Sequence, residues 1–302
     1  MNKQAFVKDG RFVELNWTKR AIEITEGEIG TVGESLDEVM TSEDEVRYRI
    51  DREVARLRSA GFVEGDSKRL TEEEAAWQQV NALARPIAIP SYANEPGDPA
   101  GSRAGGTPWL TPGAPHPTCE RCQLTLQLIV QIDLADVRDV LAIGDGLLQY
   151  FACDRSCYYE DIGEPFSCSA VRVIDPAGGA LAPIRDDLDE DGNYIDTHVL
   201  LNRRITWTRD TDLPSPYVIR ERLEIDDDTL EDLRIPARWE KVGGWTCWAQ
   251  SARTIECANC SVAMEHVLQL EHAVEFAQEL GGNIQYIVRC PKCAAMTAYQ
   301  QH

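Results

Sequence analysis

Two stretches of this 302-residue chain repeat one another, and this repeat limits the choice of fold more than any other feature. Gly105-Gly106 in the first stretch match Gly243-Gly244 in the second, and each pair precedes a C-x2-C motif. The alignment continues with few gaps, and Gln149-Tyr150 match Gln285-Tyr286. A duplication of this kind predicts two related units that pack about a pseudo-two-fold axis.

Each half of the duplication contains two closely spaced pairs of cysteines. The first set is Cys119, Cys122, Cys153 and Cys157, and the second set is Cys257, Cys260, Cys290 and Cys293. A C-x2-C pair places two thiolates on one tight turn, and two pairs complete a tetrahedral zinc site. Four thiolates leave no open coordination position, so we predict two structural zinc ions. Redox-active pairs and ordinary buried thiols are the alternatives.

The remaining patterns predict an α+β chain with three parts. Residues 1–64 should form a small antiparallel sheet plus one helix, which begins after the N-cap Ser42 and ends at Gly61. Residues 65–104 contain a helix candidate, TEEEAAWQQVNALA, and then the linker or loop RPIAIPSYANEPGDPAGSRAGG. Residues 105–302 should form a mostly β, internally duplicated domain with zinc knuckles.

The N-terminal part resembles the WGR domain, known from poly(ADP-ribose) polymerases and bacterial proteins, over residues 11–62. Ile29-Gly30-Thr31 and Gly33 keep the turn glycines of that family. Glu26, Gly27 and Glu28 stand where the family has Trp-Gly-Arg, whose tryptophan and arginine help to contact DNA ends. We interpret this part as a protein-binding surface on a former DNA-binding frame, or else as a packing or dimerisation module.

The duplicated part resembles the YwqG-like proteins of bacteria and the related programmed cell death protein 2 family. The segments that carry this resemblance are GGTPWL, CERCQLTLQLIVQID, GLLQYFACDRSC, GGWTCW and CANCSVAMEHVLQLE. The eukaryotic branch is associated with chaperoning a ribosomal protein, and bacterial relatives occur as immunity proteins beside secreted toxins. The matching motifs imply structural rather than catalytic roles.

Negative charge sets the expected class of partner. With 51 Asp and Glu against 30 Lys and Arg, the formal net charge is −21, which repels nucleic acid and attracts basic proteins. We predict a basic protein partner, and a solvated acidic face is the alternative. The candidate partner-binding residues are Glu26, Glu28, Asp226, Asp227, Asp228, Trp239 and Trp245.

Other signals are weaker or absent from the sequence. Asp187, Asp189 and Asp191 precede Gly192 like the start of a calcium loop, with Asp196 nearby, although an acidic hairpin turn explains the same residues. No catalytic motif surrounds the five histidines. The N-terminus lacks a signal-peptide pattern and no window matches a membrane span, so we expect a cytoplasmic protein.

These observations predict a non-enzymatic, protein-binding protein. The leading hypothesis is an immunity protein that neutralises a basic toxin acting in the cytosol, such as a nuclease. The alternative is a chaperone for a basic ribosomal or nucleic-acid-binding protein. An enzyme or a DNA-end binder is the third hypothesis, which turnover or a band shift on duplex DNA would reveal.

Overall fold

A computed structural model describes residues 1–153, 168–182, 200–271 and 284–301. The chain divides into two compact units. The first unit combines Met1–Ala82 with Leu223–Arg234, and the second combines Leu83–Arg222 with Ile235–His302. The predicted ligand Cys157 and the acidic segment Asp187–Asp196 lie outside the described residues.

The first unit contains a five-stranded antiparallel sheet with the order β4-β3-β2-β1-β5. Its strands are β1 (Asn2–Lys8), β2 (Arg11–Trp17), β3 (Ala21–Glu28), β4 (Glu34–Val39) and β5 (Val63–Glu64). Helix α1 (Glu43–Ser59) packs on this sheet through a core that includes Phe6, Leu15 and Leu57. The predicted sheet and helix are therefore confirmed.

Local signals set the ends of α1. The side chain of Ser42 accepts a hydrogen bond from the backbone N–H of Glu45 and caps the N-terminus of the helix. Gly61 follows the C-terminus with φ of 84°, a left-handed conformation that glycine adopts without steric cost. The predicted N-cap and terminating glycine are confirmed.

Two further helices complete the first unit. Helix α2 (Glu72–Ala82) matches the predicted helix candidate, and α4 (Asp227–Asp232) returns from the later part of the chain to pack against it. Glu26, Gly27 and Glu28 belong to strand β3 rather than to the turn, which Gly30 and Gly33 form with positive φ values.

The second unit is built on one ten-stranded antiparallel sheet. Its order is β11-β10-β9-β7-β13-β6-β14-β15-β16-β17, and the end strands β11 and β17 contact each other, so the sheet is nearly closed. The strands are β6 (Arg85–Tyr92), β7 (Arg103–Ala104), β9 (Gln127–Asp133), β10 (Leu147–Ala152), β11 (Ser169–Ile174), β13 (Arg203–Asp212), β14 (Lys241–Gly243), β15 (Glu265–Leu270), β16 (Ile284–Arg289) and β17 (Met296–Gln301).

Short elements join these strands. They are the two-stranded sheet of β8 (Trp109–Leu110) and β12 (Ala180–Leu181), a 3-10 turn at Leu134–Val137 and helix α3 (Pro216–Arg222). The main core lies inside the large sheet and draws on both halves, for example through Val130 and Leu268. None of the described helices is long and apolar enough to cross a bilayer.

The strand order of the large sheet confirms the predicted internal duplication. Reading outward from the central β13/β6 pair, β7, β9, β10 and β11 on one side mirror β14, β15, β16 and β17 on the other. The two β-bulges also correspond, because Ile129 and Val267 are the unpaired residues in β9 and β15. The two central strands are exchanged between the halves. Strand β6 precedes the first half in sequence but pairs with β14 of the second half, and β13 precedes the second half but pairs with β7 of the first half.

The matched bulges correct the sequence alignment by one residue. Gln149 pairs with Gln131, and Tyr286 pairs with Gln269, which is the counterpart of Gln131. Gln149 therefore corresponds to Tyr286 and not to Gln285. The hydrogen bonds agree, because Gln149 donates to the carbonyl of Trp109 and Tyr286 donates to the carbonyl of Cys247.

The proposed linker also needs correction, because its first part is a central strand. Residues 85–92 form β6, which is paired with β13 along its whole length. The sequence argued against a strand through Pro86 and Pro90, which lack a backbone N–H. The fold accommodates both prolines because β14, on the other side of β6, pairs only with Ile87 and Ala88.

Candidate metal centres

The second cysteine set converges on one point at the end of the sheet. The sulfur atoms of Cys257, Cys260, Cys290 and Cys293 all lie within 4.8 Å of one another. The Sγ–Sγ distances are 3.5 Å for Cys257–Cys293, 3.3 Å for Cys260–Cys290 and 3.9 Å for Cys260–Cys293. A tetrahedral zinc site with Zn–S bonds of about 2.3 Å requires S–S edges of about 3.8 Å. This cluster therefore has the donor set and the spacing to hold a metal ion.

The first cysteine set forms a similar cluster. The sulfur atoms of Cys119, Cys122 and Cys153 lie within 4.8 Å of one another, and the Cys122–Cys153 distance is 3.7 Å. These three residues could also hold a metal ion, whereas the predicted fourth ligand, Cys157, is outside the described residues. Cys168 is buried and hydrogen-bonds to the thiol of Cys119.

Matching turns carry the paired cysteines. The amide of Cys119 donates to Leu124, and the amide of Cys257 donates to Val262, so both chains fold back over the same span. In each turn a residue with positive φ follows the second cysteine, with φ of 61° at Gln123 and 51° at Ser261. The same type of backbone turn therefore brings the two thiols of each pair close together.

The turn after β10 differs from the turn after β16. Cys290 donates its amide to Ala295 at 2.8 Å across a short turn. Cys153 makes the equivalent bond to Cys168 at 2.9 Å, but across a much longer segment. The two cysteines therefore share this backbone hydrogen bond but differ in the length of chain that it spans.

Hydrogen bonds favour the thiolate form at one corner of the second cluster. The backbone N–H of Cys293 points at the sulfur of Cys290 and lowers the pKa of that thiol to about 6. The thiol of Cys260 donates a hydrogen bond to Cys290, which stabilises the protonated form of Cys260 and raises its pKa to about 12, so the two thiols favour opposite protonation states. A cation at the centre would remove this conflict, since metal ligands bind as thiolates.

The structure also contains a buried charged pair that sequence reasoning missed. Lys241 and Asp212 have side chains that are each 1% exposed, and the ammonium nitrogen lies 2.6 Å from the Asp212 carboxylate. Asp212 also accepts the backbone N–H of Trp245. The available sequence signal was the duplication. Aligning Gly105-Gly106 with Gly243-Gly244 also aligns Lys241 with Arg103, which is fully buried too.

The predicted acidic residues for partner binding all lie in the first unit. Glu26 and Glu28 are exposed at the end of β3. Asp227 and Asp228 are exposed in α4, whereas Asp226 caps that helix by accepting hydrogen bonds from the backbone and hydroxyl of Thr229. Asp226 thus has a structural role that sequence reasoning missed.

The two predicted aromatic anchors belong to the second unit. Trp245 is 8% exposed, lies under the guanidinium of Arg85 at 3.5 Å and donates its indole N–H to Leu83. Its ring is therefore largely covered, and a partner-binding role for Trp245 stays a prediction. Trp239 is half-buried against Tyr286 and Tyr299 and keeps part of its surface open.

Comparison with known proteins gives a family but no activity. The family described as Domain of unknown function (DUF1963) matches residues 102–289. No curated protein matches the chain. A crystal structure of a Bacteroides fragilis protein is 19% identical with a TM-score of 0.21, and the match covers 26% of each chain. This chain therefore spans about a quarter of that protein, which is too little to establish a shared fold.

Proposed function

This chain belongs to the DUF1963 family, and we propose that it is a zinc-stabilised, non-enzymatic protein that binds a basic protein partner. The carrying observation is the distribution of charge. The first unit, Met1–Ala82 with Leu223–Arg234, contains 24 acidic and 13 basic side chains. Its formal net charge is therefore −11, so less than a third of the chain carries about half of the total net charge of −21. Such a field attracts basic proteins over a Debye length and speeds their association.

Zinc is the metal that the donor set favours, because thiolates in a tetrahedron are its usual structural ligands. Cys257, Cys260, Cys290 and Cys293 would hold one ion, and Cys119, Cys122 and Cys153 would hold the second together with a fourth ligand. With only thiolate ligands, the ions would supply structural stability.

The partner that we propose is a cytosol-acting toxin with a basic surface, most plausibly a nuclease, which would make this chain an immunity protein. Support comes from the resemblance to YwqG-like proteins and from the WGR-like frame that carries Glu26 and Glu28 in place of DNA-contacting residues. A nuclease presents cationic side chains to its substrate, and an acidic protein can cover that surface.

Affinity capture of the tagged protein from its own cells, followed by mass spectrometry, tests this function. Washes at about 0.05 M and about 0.5 M salt separate specific partners from basic proteins held by general attraction. A salt-resistant partner with toxin chemistry is the expected result. A ribosomal protein would instead favour a chaperone, and the absence of any salt-resistant protein would refute the proposal.

Charge reversal then tests the acidic surface directly. Glu26→Lys with Glu28→Lys, and separately Asp227→Lys with Asp228→Lys, should lower the association rate by about tenfold at low salt. Asp226 is left unchanged, because its substitution would also remove the cap of α4. Equal association rates for both variants and the wild type would contradict electrostatic steering.

A further inference from the structure

We propose that a cavity in the first unit is the binding site for a guanidinium or ammonium group of a basic polypeptide. The cavity has a volume of about 530 Å³ and is lined by residues from β1 and β2, from the segment 69–73 and from α4. This volume falls within the range of about 300–1,000 Å³ that is typical of ligand pockets. The inference rests on the proposed function and specifies where the partner is recognised.

A buried carboxylate, Glu14, lies against the cavity and already has partners for its charge. Its side chain is 4% exposed and lies 2.7 Å from the ammonium of Lys3 and 3.5 Å from the guanidinium of Arg69. Ser67 donates a further hydrogen bond at 2.8 Å. Despite the opposing effect of burial, the hydrogen bonds from Lys3 and Ser67 hold the pKa of Glu14 below its usual value. The two cations that line the cavity are therefore already paired, both with Glu14 and, for Arg69, also with Glu23 at 3.8 Å.

The acidic side chains on the other side of the cavity have no such partners. Glu72 and Glu73 lie in the first turn of α2, and Asp232 lies at the end of α4. Glu74, by contrast, accepts the backbone N–H of Thr71 in a capping box. Among the described residues, no hydrogen bond or ion pair engages the carboxylates of Glu72, Glu73 or Asp232. They remain available to a ligand.

This arrangement selects a cationic ligand over an anionic one. An anion would have to compete with Glu14 for Lys3 and Arg69 and would approach three unpaired carboxylates. A guanidinium donates to carboxylates in a bidentate geometry, and its methylene groups can pack on an apolar side chain. Leu70 supplies such a side chain in the cavity wall. The volume also exceeds that of a single side chain, which leaves space for adjoining peptide.

The probe for this site is N-acetyl-arginine methylamide, titrated into the full-length, isotope-labelled chain and followed by NMR. The uncharged control is the matching citrulline compound, which keeps the shape of arginine and removes its charge. We expect saturable shifts in the amides of residues 69–73 and 229–232, with a dissociation constant on the order of 1 mM, for the arginine compound alone. Equal shifts with citrulline, or arginine shifts confined to other residues, would overturn the inference.

Matched variants connect the probe to the partner. The triple variant Glu72→Gln, Glu73→Gln, Asp232→Asn should weaken arginine binding by about tenfold. The control triple variant Asp37→Asn, Asp51→Asn, Glu64→Gln removes the same charge from exposed positions of the same unit and should stay within about twofold. Equal weakening in both variants would show general attraction and overturn the inference.

The same variants separate failure of this site from failure of the proposed function. If the wild type and the cavity variant retain the same salt-resistant partner equally, the proposed function stands and the cavity assignment is wrong. If the wild type retains no partner, the proposed function fails, and the arginine titration still decides whether the cavity binds a cation.

Discussion

The two halves of the large sheet place a buried cation at the same position and satisfy its hydrogen bonds in different ways. Arg103 in the first half donates to the carbonyls of Pro99, Gly105 and Thr107. Lys241 in the second half donates to the carboxylate of Asp212. Burial lowers the pKa of both cations, to about 10 at Arg103. A forked guanidinium can be satisfied by neutral carbonyls, whereas a compact ammonium is paired here with an opposite charge.

The preceding residue extends this contrast. Ser102 in the first half is a neutral hydroxyl that donates to Asp136 at 2.6 Å. Its counterpart Glu240 accepts a hydrogen bond from Tyr92 at 2.7 Å, and burial raises the pKa of Glu240 to about 7. Duplication has preserved the backbone of both halves, whereas the side chains at these two positions differ in charge and in hydrogen-bonding partners.

The largest expected effect tests whether the two cysteine clusters are equivalent. Cys122→Ser and Cys260→Ser should each remove one of two zinc equivalents, with a loss of unfolding free energy on the order of 5 kcal/mol, because a structural metal contributes directly to folding. Metal analysis and denaturant unfolding of both variants measure this. Loss of both equivalents from either single substitution would show that the two sites are not independent.

The next effect tests the charged pair of the second half. Asp212→Ala should destabilise the protein by about 3–5 kcal/mol, because Lys241 would remain buried without a counter-charge. Asp212→Asn combined with Lys241→Met removes both charges and keeps an acceptor for Trp245, so it should recover most of this loss. Urea unfolding curves decide the matter, and a cost below about 1 kcal/mol for Asp212→Ala would contradict the buried pair.

A smaller effect depends on pH and should come from the second half. The folded-state pKa of Glu240, about 7, exceeds the usual value of 4.5, so its favourable contribution is present below the usual value and is lost as pH rises through about 7. Glu240→Gln should therefore be more stable than the wild type by about 2 kcal/mol at about pH 8 and nearly equal to it at about pH 4.5. Thermal unfolding across this range provides the measurement. A difference that does not change with pH would remove Glu240 as its source.

The smallest effect compares matched glycines. Gly105 and Gly243 both have positive φ, but an added Cβ would lie 2.6 Å from the carbonyl oxygen of Leu201 at Gly105 and 3.1 Å from that of Val140 at Gly243. Gly105→Ala should consequently cost about 1 kcal/mol more than Gly243→Ala in urea unfolding. Equal costs would mean that the surroundings of Gly105 relax as readily as those of Gly243.

Local signals made much of the fold predictable. Ser42 and Gly61 identified the ends of α1, and the spacing of Cys257 and Cys260 identified a turn that brings two thiols together. Gln285-Tyr286 has the same residue types as Gln149-Tyr150, but the two pairs occupy positions in their strands that differ by one residue. Cys153 lies four residues after Gln149, and Cys290 lies four residues after Tyr286. Aligning these two cysteines would therefore have given the correct register.

Features that depend on distant parts of the chain were beyond sequence reasoning. The partner of Lys241 is 29 residues away, and nothing local distinguishes Asp212 from the other acidic residues. The interior position of β6 depends on how much of it β14 covers, which is a tertiary property that overrides the signal of Pro86. The cavity beside Glu14 likewise requires α4, which is distant in sequence.

The exchange of β6 and β13 between the halves indicates how the domain could have originated. The leading strand of each half is β6 for the first half and β13 for the second. A single half would lack the β6/β13 pair, and its leading strand and its β7 or β14 would each lack the neighbour that the other half supplies. Two identical half-length chains would meet both needs by trading leading strands, as in a strand-swapped homodimer. Tandem fusion of such an ancestral gene would yield the present ten-stranded sheet. After fusion, selection could place arginine in one copy and lysine with aspartate in the other, a freedom that a symmetric dimer lacks.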